Sequence, residues 1–241
     1  MFDLTGKKAL ITGSSQGIGL SAAQALAKAG AKVFINGSNA DKVMAALEKV
    51  PGASAAVCDL ARPDCGTVLH GITGDVDILI LNASVQFRVS WDRITDEEFD
   101  RQISVNLRST LKLIQTYAPH MLAQKWGRIV TVGSVQQKKP HKDMLIYAAS
   151  KAAQENMARN LAKQFAPFGV TVNNIAPGVI DTPRNEAALS DEAYRDTVLR
   201  GIPSSFIGQP EDCCGQILLL CSDEGRYITG ENIFIDGGMQ L

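Results

Sequence analysis

Histidine is scarce here, three residues set far apart, and the five cysteines (Cys58, Cys65, Cys213, Cys214 and Cys221) include no C-x-x-C pair. Neither a metal site nor a disulfide framework is therefore expected, and reduced, mostly buried thiols are the better reading. A cytoplasmic protein follows as the expectation. Also missing is any block of basic residues. The formal net charge is −1, so the electrostatic footprint of a nucleic-acid binder is absent. No apolar run approaches the ~18 residues of a membrane span. The opening MFDLTGKK carries no apolar core of a signal peptide, so nothing in it directs export. Long linkers, low-complexity tracts and internal repeats are lacking too.

What remains is ordinary globular material. With 241 residues, 45% hydrophobic and 20% charged, the chain fits one α/β domain spanning residues 1–241. Strand-like runs at 7–12, 31–36, 53–58, 76–81, 127–133, 169–175 and 231–236 alternate with helical patterns. The helical stretches lie near 17–30, 40–50, 61–71, 96–125, 146–167 and 210–222. Near-continuous apolar strands alternating with helices predict a doubly wound, Rossmann-like sheet of about seven parallel strands, covered by helices on both faces. Ligands should then sit beyond the carboxyl ends of the strands.

Distinctive residues fall at those ends. After the first strand comes TGSSQGIG, with Gly13, Gly17 and Gly19 between a strand and a helix. Such a turn lets backbone N–H groups approach a pyrophosphate at the positive end of a helix. Alone, the cluster also fits a plain tight turn. Asn82 follows the fourth strand, Ser134 the fifth, and Pro177 and Gly178 the sixth. Their convergence on one sheet edge weighs more than any single motif.

Tyr147 and Lys151 stand four residues apart in YAASK, thirteen residues after Ser134. Residues at i and i+4 share one helix face, so the cation can favour the phenolate and make the tyrosine a general acid/base. Ser134 can offer a second hydrogen bond to the same alkoxide oxygen. In isolation the pair also fits an amphipathic helix with a buried Tyr and a solvated Lys.

TGSSQGIG, NAS at 82–84, Asn106, Ser134, YAASK, PGVIDT and the closing ITGENIFIDGG occur in one order along the whole chain. Together they resemble the short-chain dehydrogenase/reductase family. The resemblance implies an enzyme moving a hydride between a nicotinamide and a secondary alcohol or ketone. Asn106, Ser134, Tyr147 and Lys151 match its catalytic tetrad. Tyr147 would exchange the proton, and Ser134 would hold the carbonyl oxygen. Lys151 would serve Tyr147 and the nicotinamide ribose, while Asn106 would hold a water leading to Lys151. Cofactor contacts would come from Gly13, Ser15, Gln16, Gly17, Ile18 and Gly19, and from Asp59 and Leu60 near the adenine. Asn82, Ala83 and Ser84 would follow after the fourth strand, and Pro177, Gly178, Ile180 and Thr182 beside the carboxamide. Ser84 stands where the family has a closing glycine, and Leu81 where it has a first asparagine.

The second strand ends at Gly37, flanked by Asn36, Ser38 and Asn39. An acidic residue there would select NAD by binding the ribose hydroxyls. None is present, so NADP is the preferred expectation, with Ser38, Asn39 and Lys42 available to its phosphate and NAD still allowed.

Between Ser134 and Tyr147, Gln136, Gln137, Lys138, Lys139, His141 and Lys142 make a polar, cationic segment. Gln136 and His141, with Ser134 and Tyr147, are the expected substrate contacts. The segment also fits a solvated loop, since loops readily collect charge. Residues 184–203 are expected to form the substrate lid, with Arg184, Arg195 and Arg200 adding positive charge. A sugar, polyol or sugar acid is the expected substrate. Two rivals stand beside it: a 3-oxoacyl-carrier-protein reductase, and a binding protein that senses NADP without turnover. The resemblance also implies a homo-oligomer, tetramer or dimer.

Overall fold

In the computed structural model, which describes residues 1–241, seven strands form one parallel sheet in the order β3-β2-β1-β4-β5-β6-β7. In chain order these are β1 (Lys8–Ile11), β2 (Lys32–Gly37), β3 (Ser54–Val57), β4 (Ile78–Leu81), β5 (Gly127–Val132), β6 (Val170–Pro177) and β7 (Asn232–Ile235). Every residue of β4, β5 and β6 is buried. Their apolar runs are what a strand covered on both faces requires. Alternation along β1 divides the core. Ala9 and Ile11 point to one face and Leu10 to the other.

On the first face pack α1 (Gly17–Lys28), α2 (Ala40–Leu47) and α9 (Cys214–Cys221), through Leu26, Val43, Ile217 and Leu220 among others. On the second lie α3 (Cys65–Thr73), α5 (Ser109–Ala123) and α6 (Leu145–Phe165), through Leu69, Leu113, Tyr117 and Ala158. Burying a side chain of this size contributes about 1.5–3 kcal/mol, so both layers stabilise the sheet substantially. All five cysteines are free thiols, four of them buried. No helix is long and apolar enough to cross a membrane.

The long helix expected over 96–125 is three pieces. Thr95 starts α4 (Asp96–Gln102) with a reciprocal capping box to Glu98. A π-helical stretch, Ile103–Arg108, follows before α5 begins. Its widened turn places Asn106 beneath the β4 end, a common use of π-bulges near functional sites. Two short helices, α7 (Pro183–Leu189) and α8 (Glu192–Arg200), cover most of 184–203, the second capped by Asp191.

Candidate active site

Strand order reverses between β1 and β4, and the crevice beyond their carboxyl ends is where such a sheet binds ligands. A cavity of about 630 Å³ opens there. Its walls are built by locally determined turns. Thr12 accepts from the N–H groups of Asn82 and Ala83 at 2.9 and 3.0 Å, and the Asn82 amide donates to the carbonyls of Thr12 and Gly13, both at 2.9 Å. Asn36 donates to Ala56 and Cys58 and accepts from the Gly13 N–H, tying three strand ends together. Asn82 thus staples the glycine loop to β4.

The chain comes too close for side chains in that loop. A Cβ on Gly13, whose φ is +61°, would lie 2.8 Å from the Ala83 Cα, and one on Gly19 would lie 2.5 Å from the Asn82 amide nitrogen. Gln16, at the N-cap of α1, makes no side-chain capping hydrogen bond. The first-turn N–H groups of α1 are therefore free to serve an anion, and the helix dipole favours one. Ser15, Gln16, Gly17 and Ile18 line the cavity at this point, whereas Gly19 is a packing contact behind it. This cradle fits a dinucleotide pyrophosphate.

Most other residues expected for the cofactor share the same cavity. Gly37, Ser38, Asn39 and Lys42 line one end, and Asp59 and Leu60 lie beside them. The Asn39 side-chain oxygen is already engaged, accepting from Lys42 N–H to cap α2. Asp59 pairs with Arg101 at 3.0 Å. Burial would raise its carboxyl, but the Ala61 N–H and Arg101 outweigh that and hold it low. Ala83, Ser84, Pro177, Gly178, Ile180 and Thr182 line the middle.

Ser134, Gln136, His141, Tyr147 and Lys151 meet at the other end. Ser134 follows β5 and caps a short turn in a reciprocal box with Gln137, whose amide is held by Glu155 at 3.0 Å. The Ser134 oxygen accepts from the Gln136 N–H at 3.2 Å, leaving its own proton free to donate. Alanine-rich α6 presents Tyr147, Lys151, Gln154, Ala158 and Ala162 on one buried stripe. The Lys151 ammonium sits 5.7 Å from the Tyr147 ring centre. It donates to the Val132 carbonyl at 2.7 Å and to Gln154 Oε1 at 3.0 Å. Burial pushes its pKa down to about 7, with repulsion from Arg184 acting the same way.

Asn106 lies behind the cavity wall, fully buried. Its side chain donates to Val85 O and Ser150 Oγ and accepts from Val85 N–H, so it pins the loop after β4. Lys138 and Lys142 do not line the cavity. Lys138 turns toward the C-terminus, bonding Gln240 and lying over the Phe234 ring. Lys139 does reach the wall, yet its ammonium donates to Met239 O.

The arginines that line the cavity are Arg88, Arg184 and Arg101, the last already paired with Asp59. Arg88, which the sequence reading passed over, lies in an irregular segment and donates to the Tyr194 hydroxyl at 3.1 Å. No periodicity marks it. Of the arginines expected on the lid, Arg184 lines the cavity and Arg195 and Arg200 do not.

Comparison with known proteins agrees with this geometry. The profile of a family described as "Enoyl-(Acyl carrier protein) reductase" matches residues 13–240. A 3-oxoacyl-[acyl-carrier-protein] reductase of Rickettsia conorii is 35% identical over 244 residues, covering 100% of both chains. The solved structure of a 3-oxoacyl (acyl-carrier-protein) reductase from Agrobacterium tumefaciens with NADP bound is similar at TM-score 0.94 and 37% identity, covering 98% of this chain and 95% of that one. A gluconate 5-dehydrogenase from Burkholderia cenocepacia in complex with NADP and tartrate is similar at TM-score 0.91 and 32% identity, covering 99% and 96%.

Proposed function

The chain belongs to the short-chain dehydrogenase/reductase family of NAD(P)-dependent oxidoreductases, and from that premise we propose that its substrate is a polar, anionic small molecule such as a sugar acid. The observation that carries this reading is the pair Arg88 and Arg184, which line the same cavity as Ser134, Tyr147 and Lys151. Arg88 has one Nη on Tyr194 and keeps other N–H groups for charge-assisted hydrogen bonds to a carboxylate, while Arg184, held on Ser84 through both Nη groups, adds positive charge beside it. The gluconate 5-dehydrogenase above, solved with tartrate, supports the same class.

When bound, the nicotinamide supplies or accepts the hydride at the reacting carbon. The protein's own part is to manage charge on the oxygen attached to that carbon. The free Ser134 proton and the Tyr147 hydroxyl stabilise it as it develops, and Tyr147 gives or takes the proton. Lys151, anchored at Val132, holds its amino group near the phenol, where its protonated form favours the phenolate. NADP is the cofactor we favour. Ser38, Asn39 and Lys42 surround the Gly37 end without a carboxylate, and both neighbours named above hold NADP.

Reduction of 3-oxoacyl thioesters on a carrier protein is the second reading. The two carrier-protein reductases support it, as does the apolar stretch of wall made by Met144, Leu189, Val198 and Met239. A panel of sugar acids, neutral polyols and 3-oxoacyl thioesters, run with NADP and NAD and followed by nicotinamide absorbance, separates the readings. Highest kcat/KM on sugar acids supports the first; highest kcat/KM on thioesters replaces it with the second. Tight NADP binding with no turnover on any member would favour the non-catalytic sensor.

A further inference from the structure

Gln154 is wholly buried, yet it points no polar atom at solvent or at the cavity. Its two ends have opposite tasks. Oε1 accepts from the Lys151 ammonium at 3.0 Å, and Nε2 donates to Thr110 Oγ1 at 2.8 Å. Thr110 in turn donates to the backbone carbonyl of Asn106 at 2.9 Å, within the π-helical stretch. A continuous side-chain bridge thus runs from the ammonium to the residue that pins the β4 loop. All four residues are buried.

We propose that Gln154, oriented by Thr110, is a positioning residue that fixes the Lys151 ammonium and keeps it charged beside Tyr147. An apolar residue would fill this place on the α6 stripe as well, as Ala158 and Ala162 do further along. A buried amide is costly unless both its ends are satisfied, and here they are, by a cation and a hydroxyl. The carbonyl end stabilises the protonated lysine more than the neutral amine, because a charge-assisted hydrogen bond is the stronger one. Val132 O supplies one acceptor, Gln154 the second, and the remaining N–H is left for the cavity side. The charged and titratable groups bearing on the ammonium are Tyr147 on its own helix and Arg184 from α7. The facing atoms of β5 and α5 in the bridge, Val132 O and Thr110 Oγ1, are uncharged. Arg184 opposes the positive charge, so an acceptor on the far side has something to offset. An amide does not relay protons readily, so the bridge acts as a brace and not as a wire.

This inference rests on the reading of Tyr147 and Lys151 given above, and its test is kept separate from turnover. Protein labelled with 13C at lysine Cε is titrated by NMR, the Lys151 signal being assigned with Lys151→Arg. Gln154→Leu should lower the midpoint by about one unit, a roughly tenfold change in protonation at fixed pH. Gln154→Glu should restore or raise it. Thr110→Val, which keeps the volume and removes only the link, should lower it by less, and it serves as the probe should Gln154→Leu not fold. In the pH profile of alcohol oxidation, the acid limb should move upward in Gln154→Leu and return in Gln154→Glu. Midpoints of Gln154→Leu and Thr110→Val that coincide with wild type overturn the brace. Loss of turnover in Tyr147→Phe alongside that result would leave the tetrad reading intact and remove only this inference.

Discussion

Arg184 clasps Ser84 across the cavity mouth, donating to its hydroxyl at 2.9 Å and to its carbonyl at 2.6 Å. The clasp joins α7 to the loop after β4, and Arg88 with Tyr194 joins the same loop to α8. The residue in place of the family's closing glycine therefore has a task. Ser84→Gly removes the hydroxyl half of the clasp and leaves the carbonyl. About 1 kcal/mol of local stability should be lost, since the pair is exposed. Hydrogen exchange of amides in 183–189 should accelerate roughly fivefold while β4 and β5 are unchanged. Unaltered exchange in α7 would mean the clasp does not hold that helix.

Charge at the mouth sets the second expectation. Arg88→Met should raise KM for carboxylated substrates about five- to tenfold and leave kcat near wild type, because uniform binding is lost. Neutral polyols should be little affected, and 1 M salt should shrink the difference. Equal KM changes for acids and polyols would remove Arg88 from substrate recognition.

Cofactor choice is tested at Gly37. A Cβ there would lie 2.9 Å from Val43 Cγ2 and 3.4 Å from Ser15 Oγ, so Gly37→Asp should be combined with Val43→Ala to make room. The new carboxylate can accept from ribose hydroxyls and repels a 2′-phosphate. The ratio of kcat/KM for NADP over NAD should fall by about tenfold or more. An unchanged ratio would show that the ribose is held away from the end of β2.

Much of this was legible before the structure. Apolar runs such as ILIL at 78–81 and GRIVTV at 127–132 could only be covered strands, and the glycine loop and YAASK carry their own geometry. The π-helical stretch was not visible, because ISVNLR has the composition of an ordinary helix. The directions of Lys138 and Lys142 were not legible, since charge in a loop does not reveal which way a long side chain turns. Nothing in the sequence singles out Gln154. A polar residue in KAAQEN reads as solvent-facing until the stripe from Tyr147 to Ala162 is known to be buried. Arg88 lay in a segment with no period at all.

Lysine burial makes a prediction about stability. Burial holds the folded pKa of Lys151 down to about 7, below the ordinary lysine value of 10.5. Between those values the unfolded chain binds more protons, so this group's contribution makes stability rise with pH across the window. Below about 7 its burial cost is present in full. Lys151→Met removes that cost and leaves Val132 O and Gln154 without their donor, so the net Tm change at one pH mixes both effects. Its pH dependence does not. The Tm of Lys151→Met minus that of wild type should be most positive near pH 6 and decline towards pH 10. A difference that is flat or rises over this range would contradict a depressed lysine.

The proton exchange assigned to Tyr147 is the centre of the account, and Tyr147→Phe tests it with a single atom removed. The measurement is kcat with the best substrate of the panel, beside the NADPH dissociation constant from fluorescence titration. General acid/base catalysis of this kind is worth ~10²–10⁴-fold, so kcat should fall by that factor while NADPH affinity stays within a few-fold. A kcat equal to wild type, with affinity preserved, would contradict it.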